Sequence, residues 1–274
     1  MIIPKLIALD MDGTMLSGEN LLTERTIKAL RAAQDEGIRI MVATGRMYCA
    51  AMKHISRIGL NGLSVFYNGA LIRNTATDET YYEQTVGREL TAEIMHRFHE
   101  ENWYIQAYQD DKLLVVDSSD ERCKYYERLC GVEAVSVGDA LWTMDIDASK
   151  LLGICFDKPE YIRMCNTVNR EFGKKVYYAP SWGSFIEMVH PAVNKAKSVE
   201  RVSNYYGIPR EEVMALGDGG NDVEMIRWAG IGVAMDNAKD RVKEAADIIA
   251  PPASEDGAAY IVEKVTELAR ENKK

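Results

Sequence analysis

The sequence predicts an α/β protein: a parallel-sheet core, split along the chain, with an α+β segment inserted between its halves. Three observations point there. Apolar runs of strand length alternate with helical patterns at both ends of the chain. The middle instead sets strand-like runs almost back to back, as at Gln109 and Lys112, which favours hairpins. A polar, threonine-rich stretch over residues 73–82 separates the two styles.

Residues 5–9 are a short apolar run, read as a buried strand. Thr23 can cap a helix over 24–36, with Ile27, Leu30 and Ala33 on one face and Gly37 ending it. A strand over 38–43, a helix over 47–58 and a strand over 64–67 follow. In the middle, 90–101 and 159–172 have helical periodicity, and 103–109, 112–116, 151–156, 176–179 and 185–189 read as strands. Near His190 and Pro191 the first style returns: a helix over 195–206, a short helix started by Pro209, a strand over 213–216 and a helix over 222–229. Apolar runs at 231–234 and 248–250 precede a closing helix over 257–270. The expected division is a core over 1–82 and 190–274 with an inserted domain over 83–189. One continuous large sheet is the alternative.

The 274 residues are 47% hydrophobic and 27% charged, as in a globular protein able to bury a core without staples. A net charge of -9 and the lack of a basic run disfavour nucleic acid and anionic membranes as partners. A small phosphorylated partner stays open, because a local cationic site can outweigh a diffuse negative field. Cys49, Cys123, Cys130, Cys155 and Cys165 are odd in number and lack CxxC spacing. A reducing cytoplasm is therefore expected, without a disulfide framework or zinc site. Pro4 and Lys5 argue against a signal peptide, and no stretch approaches the ~20 apolar residues of a membrane span.

Four polar clusters carry candidate chemistry, and in open parallel sheets ligands bind at the carboxyl ends of strands. The first is Asp10-Met11-Asp12-Gly13-Thr14, directly after the first strand. Two carboxylates at the end of a buried run are expensive unless paired or metal-bound. Asp10 can attack phosphorus and ligate magnesium; Asp12 can protonate a leaving oxygen and then activate water. The same residues also suit a plain surface turn. The second cluster, Thr44-Gly45-Arg46, offers a hydroxyl and a free N–H to a phosphate oxygen, or is an ordinary strand–helix turn. Lys195, the third, could neutralise phosphate or a nucleophilic carboxylate; Lys197 is the neighbouring alternative, and a solvated surface lysine the bland one. The fourth, Gly217-Asp218-Gly219-Gly220-Asn221-Asp222, suits a hard cation such as Mg2+, which takes oxygen ligands, or is a glycine-rich turn. Its acids would repel a pyrophosphate, so a dinucleotide loop is a poor fit.

Hydrolysis of a phosphate monoester demands up to ~20 kcal/mol of catalysis or more. A carboxylate nucleophile, a metal, a cation and an acid/base are the minimum parts, and the clusters supply candidates for each.

In their order, DMDGT, ATGR, NKAK and GDGGND resemble the haloacid dehalogenase (HAD) superfamily over nearly the whole chain, most of all its Cof-type phosphatases. That resemblance implies a Rossmann-like core with a cap inserted between the second and third motifs. It implies Asp10 as nucleophile and magnesium ligand, and Asp12 as acid/base ligating magnesium through its carbonyl. It further implies that the Met11 N–H, Thr44 and Gly45 hold phosphate, that Lys195 is the cation and that Asp218 binds magnesium. Asn221 would contact phosphate or support the metal site, with Asp222 as the alternative acid. Asn68-Gly69 resembles a further turn at the active-site edge. Ala196 departs from the pattern, which often has glycine there.

Smaller signals have bland readings. Asp145-Ile146-Asp147 repeats DxD without Gly-Thr and reads as a solvated loop. His96 and His99 share a helix face but lack a third metal ligand. Trp103, Tyr104, Tyr108, Trp182 and Phe185 are candidates for a pocket wall or for core, and Tyr125-Tyr126 for packing. The expected activity is hydrolysis of a small phosphorylated metabolite, such as a sugar phosphate or phosphorylated cofactor. A phosphomutase or phosphotransferase using the same intermediate, and a non-enzymatic phospho-accepting module, are the alternatives.

Overall fold

A computed structural model of the chain describes residues 3–18, 20–181 and 183–273. It opens with β1 (Leu6–Leu9), α1 (Glu24–Asp35), β2 (Arg39–Val42), α2 (Tyr48–Ile58) and β3 (Leu63–Phe66). β1 is apolar throughout and wholly buried, as a strand covered on both faces must be. The Thr23 side chain accepts from the Thr26 N–H and caps α1. β3 then turns back into β4 (Leu71–Asn74) and β5 (Thr80–Glu83), a small antiparallel sheet. Residues 73–82 therefore include a hairpin, which its exposed polar composition concealed.

The inserted part runs through α3 (Arg88–Glu100), β6 (Ile105–Gln109), β7 (Lys112–Val115), α4 (Glu121–Cys130), β8 (Ala134–Ser136), β9 (Lys150–Ile154), α5 (Lys158–Phe172), β10 (Tyr177–Ser181) and β11 (Phe185–Val189). Its sheet has the order β10-β11-β9-β6-β7-β8 and is antiparallel except for the β7–β8 pair. Asp110 and Asp111, both left-handed, close the two-residue β6–β7 turn. The sequence places Tyr125 and Tyr126 on a helical pattern, as observed, but does not bound α4: only Cys123 and Tyr126 are buried along it, too few for a clear apolar stripe.

The chain returns through α6 (Lys195–Tyr205), β12 (Val213–Gly217), α7 (Val223–Trp228), β13 (Ile231–Met235), α8 (Asp240–Lys243), β14 (Ile248–Ala250) and α9 (Gly257–Glu271). The core sheet is parallel throughout, in the order β14-β13-β12-β1-β2. An isolated bridge from Ala43 to Val65 joins it to β3. Side chains alternate along β1. Ile7 and Leu9 pack with Ile27 and Leu30 of α1 and Val262 of α9. Leu6 and Ala8 pack with Val199 and Val202 of α6 and Met225 of α7. Because all these strands run the same way, residues 10, 44, 218 and 237 emerge at one edge.

The inserted sheet has its own core, in which Phe98, Leu151, Met164 and Ile186 are fully buried. Phe98→Ala should cost about 3–5 kcal/mol there. Urea unfolding followed through cap fluorescence measures it, and a loss below about 1 kcal/mol would contradict this packing.

Candidate active site

Lys195 is the first residue of α6, and its ammonium is almost wholly buried at the carboxyl edge of the core sheet. It donates to Asp10 Oδ1 at 2.5 Å and to Asp222 Oδ1 at 2.6 Å. Lys197, by contrast, is exposed. Asp10 follows β1, its own N–H donating to the Leu216 carbonyl of β12 at 2.9 Å. One carboxylate oxygen from each of Asp10, Asp218 and Asp222 lies within 4.8 Å of the others. The other Asp222 oxygen accepts from the N–H groups of Asp218 (3.1 Å) and Gly219 (2.8 Å). Asp222 thus fastens the fourth-motif turn to the lysine.

Asp218 is oriented by two donors, the Thr14 hydroxyl at 3.2 Å and Asn237 Nδ2 at 3.1 Å. Asn237 also donates to the Gly13 carbonyl, which ties the first and fourth motifs together. Gly13 has φ +76°, and a Cβ there would lie 2.2 Å from Asp218 Oδ2, so only glycine fits. Sequence reasoning missed Asn237, although it follows β13 at the same edge as the other clusters.

Asp12 faces a different partner. Arg46 grips its carboxylate with two bonds, Nε to Oδ2 at 2.8 Å and Nη2 to Oδ1 at 2.5 Å, and also donates to Asn20. Nothing in the sequence assigns Arg46 a role beyond its place in the motif. Burial alone would lower its pKa; the Asp12 carboxylate reverses that and raises it. Met11 is buried behind the turn. Thr44 is buried too, its hydroxyl accepting the Arg46 N–H at 3.1 Å. Asn221 donates to Asn68 Oδ1 at 2.9 Å, so its amide engages a neighbouring turn.

These groups open onto a cavity of about 500 Å³. Its core wall includes Asp10, Asp12, Gly45, Asp218 and Asn221; its inserted wall includes Tyr126, Lys150, Phe185 and Glu187. Lys150 donates to the Gly45 carbonyl at 2.9 Å and to Glu187 at 3.3 Å. Neither Lys150 nor Glu187 carried a motif signal. Phe185 lines the cavity, as does Tyr126, which the sequence assigned to packing. Trp103 and Tyr108 are core, and Trp182 lies outside the described residues. His96 and His99 are exposed; Asp145 pairs with Arg88 at the surface. A larger cavity of about 610 Å³ opens by Leu6, Arg31, Arg39 and Tyr206, at the opposite ends of β1 and β2. The carboxylate cluster marks the smaller one as the chemical site.

Burial, then the nearby Asp222 charge, raises the Asp10 pKa well above the ordinary carboxylate value, against the pull of Lys195. The same two causes push Asp218 up to about 7. For Lys195, burial would lower the pKa, but Asp10 and Asp222 override it and hold the ammonium charged. Three converging carboxylates, with Asp10 and Asp218 holding their protons more tightly than usual, fit a hard divalent cation, which takes oxygen ligands and favours their charged form.

A carboxylate–lysine centre at the carboxyl edge of a parallel sheet, covered by an inserted antiparallel sheet, defines a capped phosphatase architecture. The chain belongs to the haloacid dehalogenase-like hydrolase family, whose model matches residues 7–262, and within it to the Cof-type branch. It is a HAD-type phosphatase with a Rossmann-like core and a cap. The protein YxeH of Bacillus subtilis (strain 168) is 32% identical over 95% of this chain and 98% of its own. The 5-amino-6-(5-phospho-D-ribitylamino)uracil phosphatase YcsE of the same organism is 31% identical over 94% of each chain. A haloacid dehalogenase-like hydrolase from Bacteroides thetaiotaomicron has a similar crystal structure, with a TM-score of 0.88 and 29% identity over 96% of this chain and 99% of that one.

Two outcomes follow from this electrostatic arrangement. Lys195→Met leaves two buried carboxylates without their cation and should cost about 3–5 kcal/mol of stability; an unchanged denaturation midpoint contradicts the pairing. Asp10 and Asp218 bind protons more tightly folded than unfolded. The Asp218 contribution to stability is full below about pH 4 and is lost as pH rises through about 7, and the Asp10 contribution is lost in the same direction. Melting in EDTA should show this loss, reduced in Asp218→Asn, and magnesium should raise Tm more at pH 8 than at pH 5. An equal magnesium shift at both pH values argues against these carboxylates as ligands.

Proposed function

We propose that the chain is a magnesium-dependent phosphatase that hydrolyses small phosphate monoesters through an aspartyl-phosphate on Asp10. The observation that carries this is Asp10 itself: a carboxylate held by one buried ammonium, beside two further carboxylates, at the floor of the cavity. An Asp10 oxygen attacks phosphorus as the ester P–O bond breaks, and Asp12 gives its proton to the leaving oxygen. Asp12 then takes a proton from water, which attacks the same phosphorus and frees Asp10 and inorganic phosphate. Asp12 must exchange its Arg46 partner for the leaving oxygen to do so.

Asp10, Asp218 and the Asp12 carbonyl would hold magnesium, which when bound supplies charge that offsets the repulsion between phosphate and a carboxylate nucleophile. Asp222 is the support, because both its oxygens are already engaged. The Met11 and Gly45 N–H groups, Thr44 and Asn221 would position the phosphoryl oxygens. Residues 83–189 would form the cap and 1–82 with 190–274 the core. The cavity has the size of small-molecule sites. Relatives named as phosphatases of a phosphorylated ribitylaminouracil support a small phosphorylated metabolite as substrate, and hydrolysis over transfer. Five free cysteines support a reducing, cytoplasmic setting; among the described residues no helix is long and apolar enough to cross a membrane.

Asp10→Asn should lower phosphate release from a monoester panel by about 10³-fold or more, with its circular dichroism unchanged. Full activity in that variant, or in protein stripped of magnesium, refutes the proposal.

A further inference from the structure

Tyr67 and Asn68, directly after β3, are consecutive non-glycine residues with left-handed backbones, φ 51° and 58°. Such a conformation is costly for tyrosine and persists only where the surroundings impose it. Here they do. The Tyr67 N–H donates to the Arg46 carbonyl and the Asn68 N–H to the Thr44 carbonyl, each at 3.0 Å. The turn therefore backs the second motif. It lies so close that a Cβ on Gly45 would sit 2.8 Å from Asn68 Oδ1.

The cap reaches the same turn from two points. The Tyr67 hydroxyl donates to Asp111 Oδ1 at 2.6 Å, and Asp111 Oδ2 accepts the Cys49 N–H at 2.9 Å. Asp111, on the β6–β7 turn, thus caps α2, whose own N-cap Met47 makes no side-chain bond. Glu187 of β11 accepts from Asn68 Nδ2 at 2.6 Å. The other end of that amide accepts from Asn221. One buried side chain consequently joins a cap strand to the fourth-motif turn, and Lys150 ties Glu187 to Gly45 beside it.

We propose that Asn68 is a positioning residue that couples cap closure to the catalytic turns. With Glu187 docked, the Asn68 amide is oriented to hold Asn221, and the 217–222 turn keeps the arrangement that handles phosphate. With the cap lifted, that hold is released. This rests on the phosphatase chemistry proposed above, and links the cap to it through hydrogen bonds rather than through shielding alone.

The test is a double-mutant cycle on the full chain with magnesium and a phosphate monoester. Asn68→Gly keeps the left-handed backbone and removes the amide; Glu187→Ala removes its cap partner. Each should lower kcat about ten-fold with KM changing less, and the double variant should lose no more than the worse single. A loss equal to the product of the two, about 100-fold, overturns the proposal. Asn68→Asp sets two carboxylates against each other and should also lower kcat. Adding Glu187→Gln lets the new amide donate to the new carboxylate, with recovery to within about three-fold of wild type expected. A pair no better than Asn68→Asp overturns the coupling, and this arm stands even where Asn68→Gly fails to fold. Hydrogen exchange gives a readout independent of turnover: Glu187→Ala should speed exchange across 217–222, and unchanged exchange overturns the proposal. If the wild-type chain releases no phosphate while Glu187→Ala still speeds exchange across 217–222, the proposed chemistry falls and the coupling stands.

Discussion

A lysine ammonium sealed between two aspartates organises this molecule's chemistry. The three groups come from α6, from the end of β1 and from the turn after β12, far apart in the chain. Burying any one of them alone would be prohibitive, and burying them together is tolerable only with short, direct bonds. The sheet must therefore bring β1 and β12 side by side, and α6 must begin where its first side chain reaches both. The β1–β12 register does so, with Leu9 beside Leu216 immediately before the two acidic turns.

That arrangement leaves negative charge in excess. Asp218 joins Asp10 and Asp222, and one lysine cannot neutralise three acids. Burial first, and then this imbalance, raises the proton affinities of Asp10 and Asp218. A site of this kind has its own appetite for positive charge, which a hard cation can meet. Asp12 has a counter-charge of its own in Arg46. Two carboxylates two positions apart on the same turn thereby acquire different electrostatic surroundings.

Much of this was legible in the sequence because parallel strands read as short apolar runs and polar clusters follow them. β1, β2, β12 and the four motif turns stood out for that reason. Lys195 could be ranked above Lys197 only by the motif around it, and the structure separates them by burial. Lys150 and Glu187 were invisible, because each sits in an otherwise apolar strand without neighbours that betray a site. Asn237 was overlooked although it obeys the same positional rule. The hairpin within residues 73–82 was hidden because edge strands with exposed side chains lack the apolar pattern that marks buried ones.

The core sheet is completed by strands from both ends of the chain, with β1 seated between β2 and β12 and more than half of the residues looping out between them. This has a consequence for biosynthesis. On the ribosome β1 and β2 emerge early, yet the strand that covers β1's other edge is not made until residue 213 and beyond. The intervening sheet draws all its strands from between β5 and α6 and can gain structure first. For much of translation the nascent chain thus carries an apolar strand with an open flank, the stage at which chaperone contact matters most.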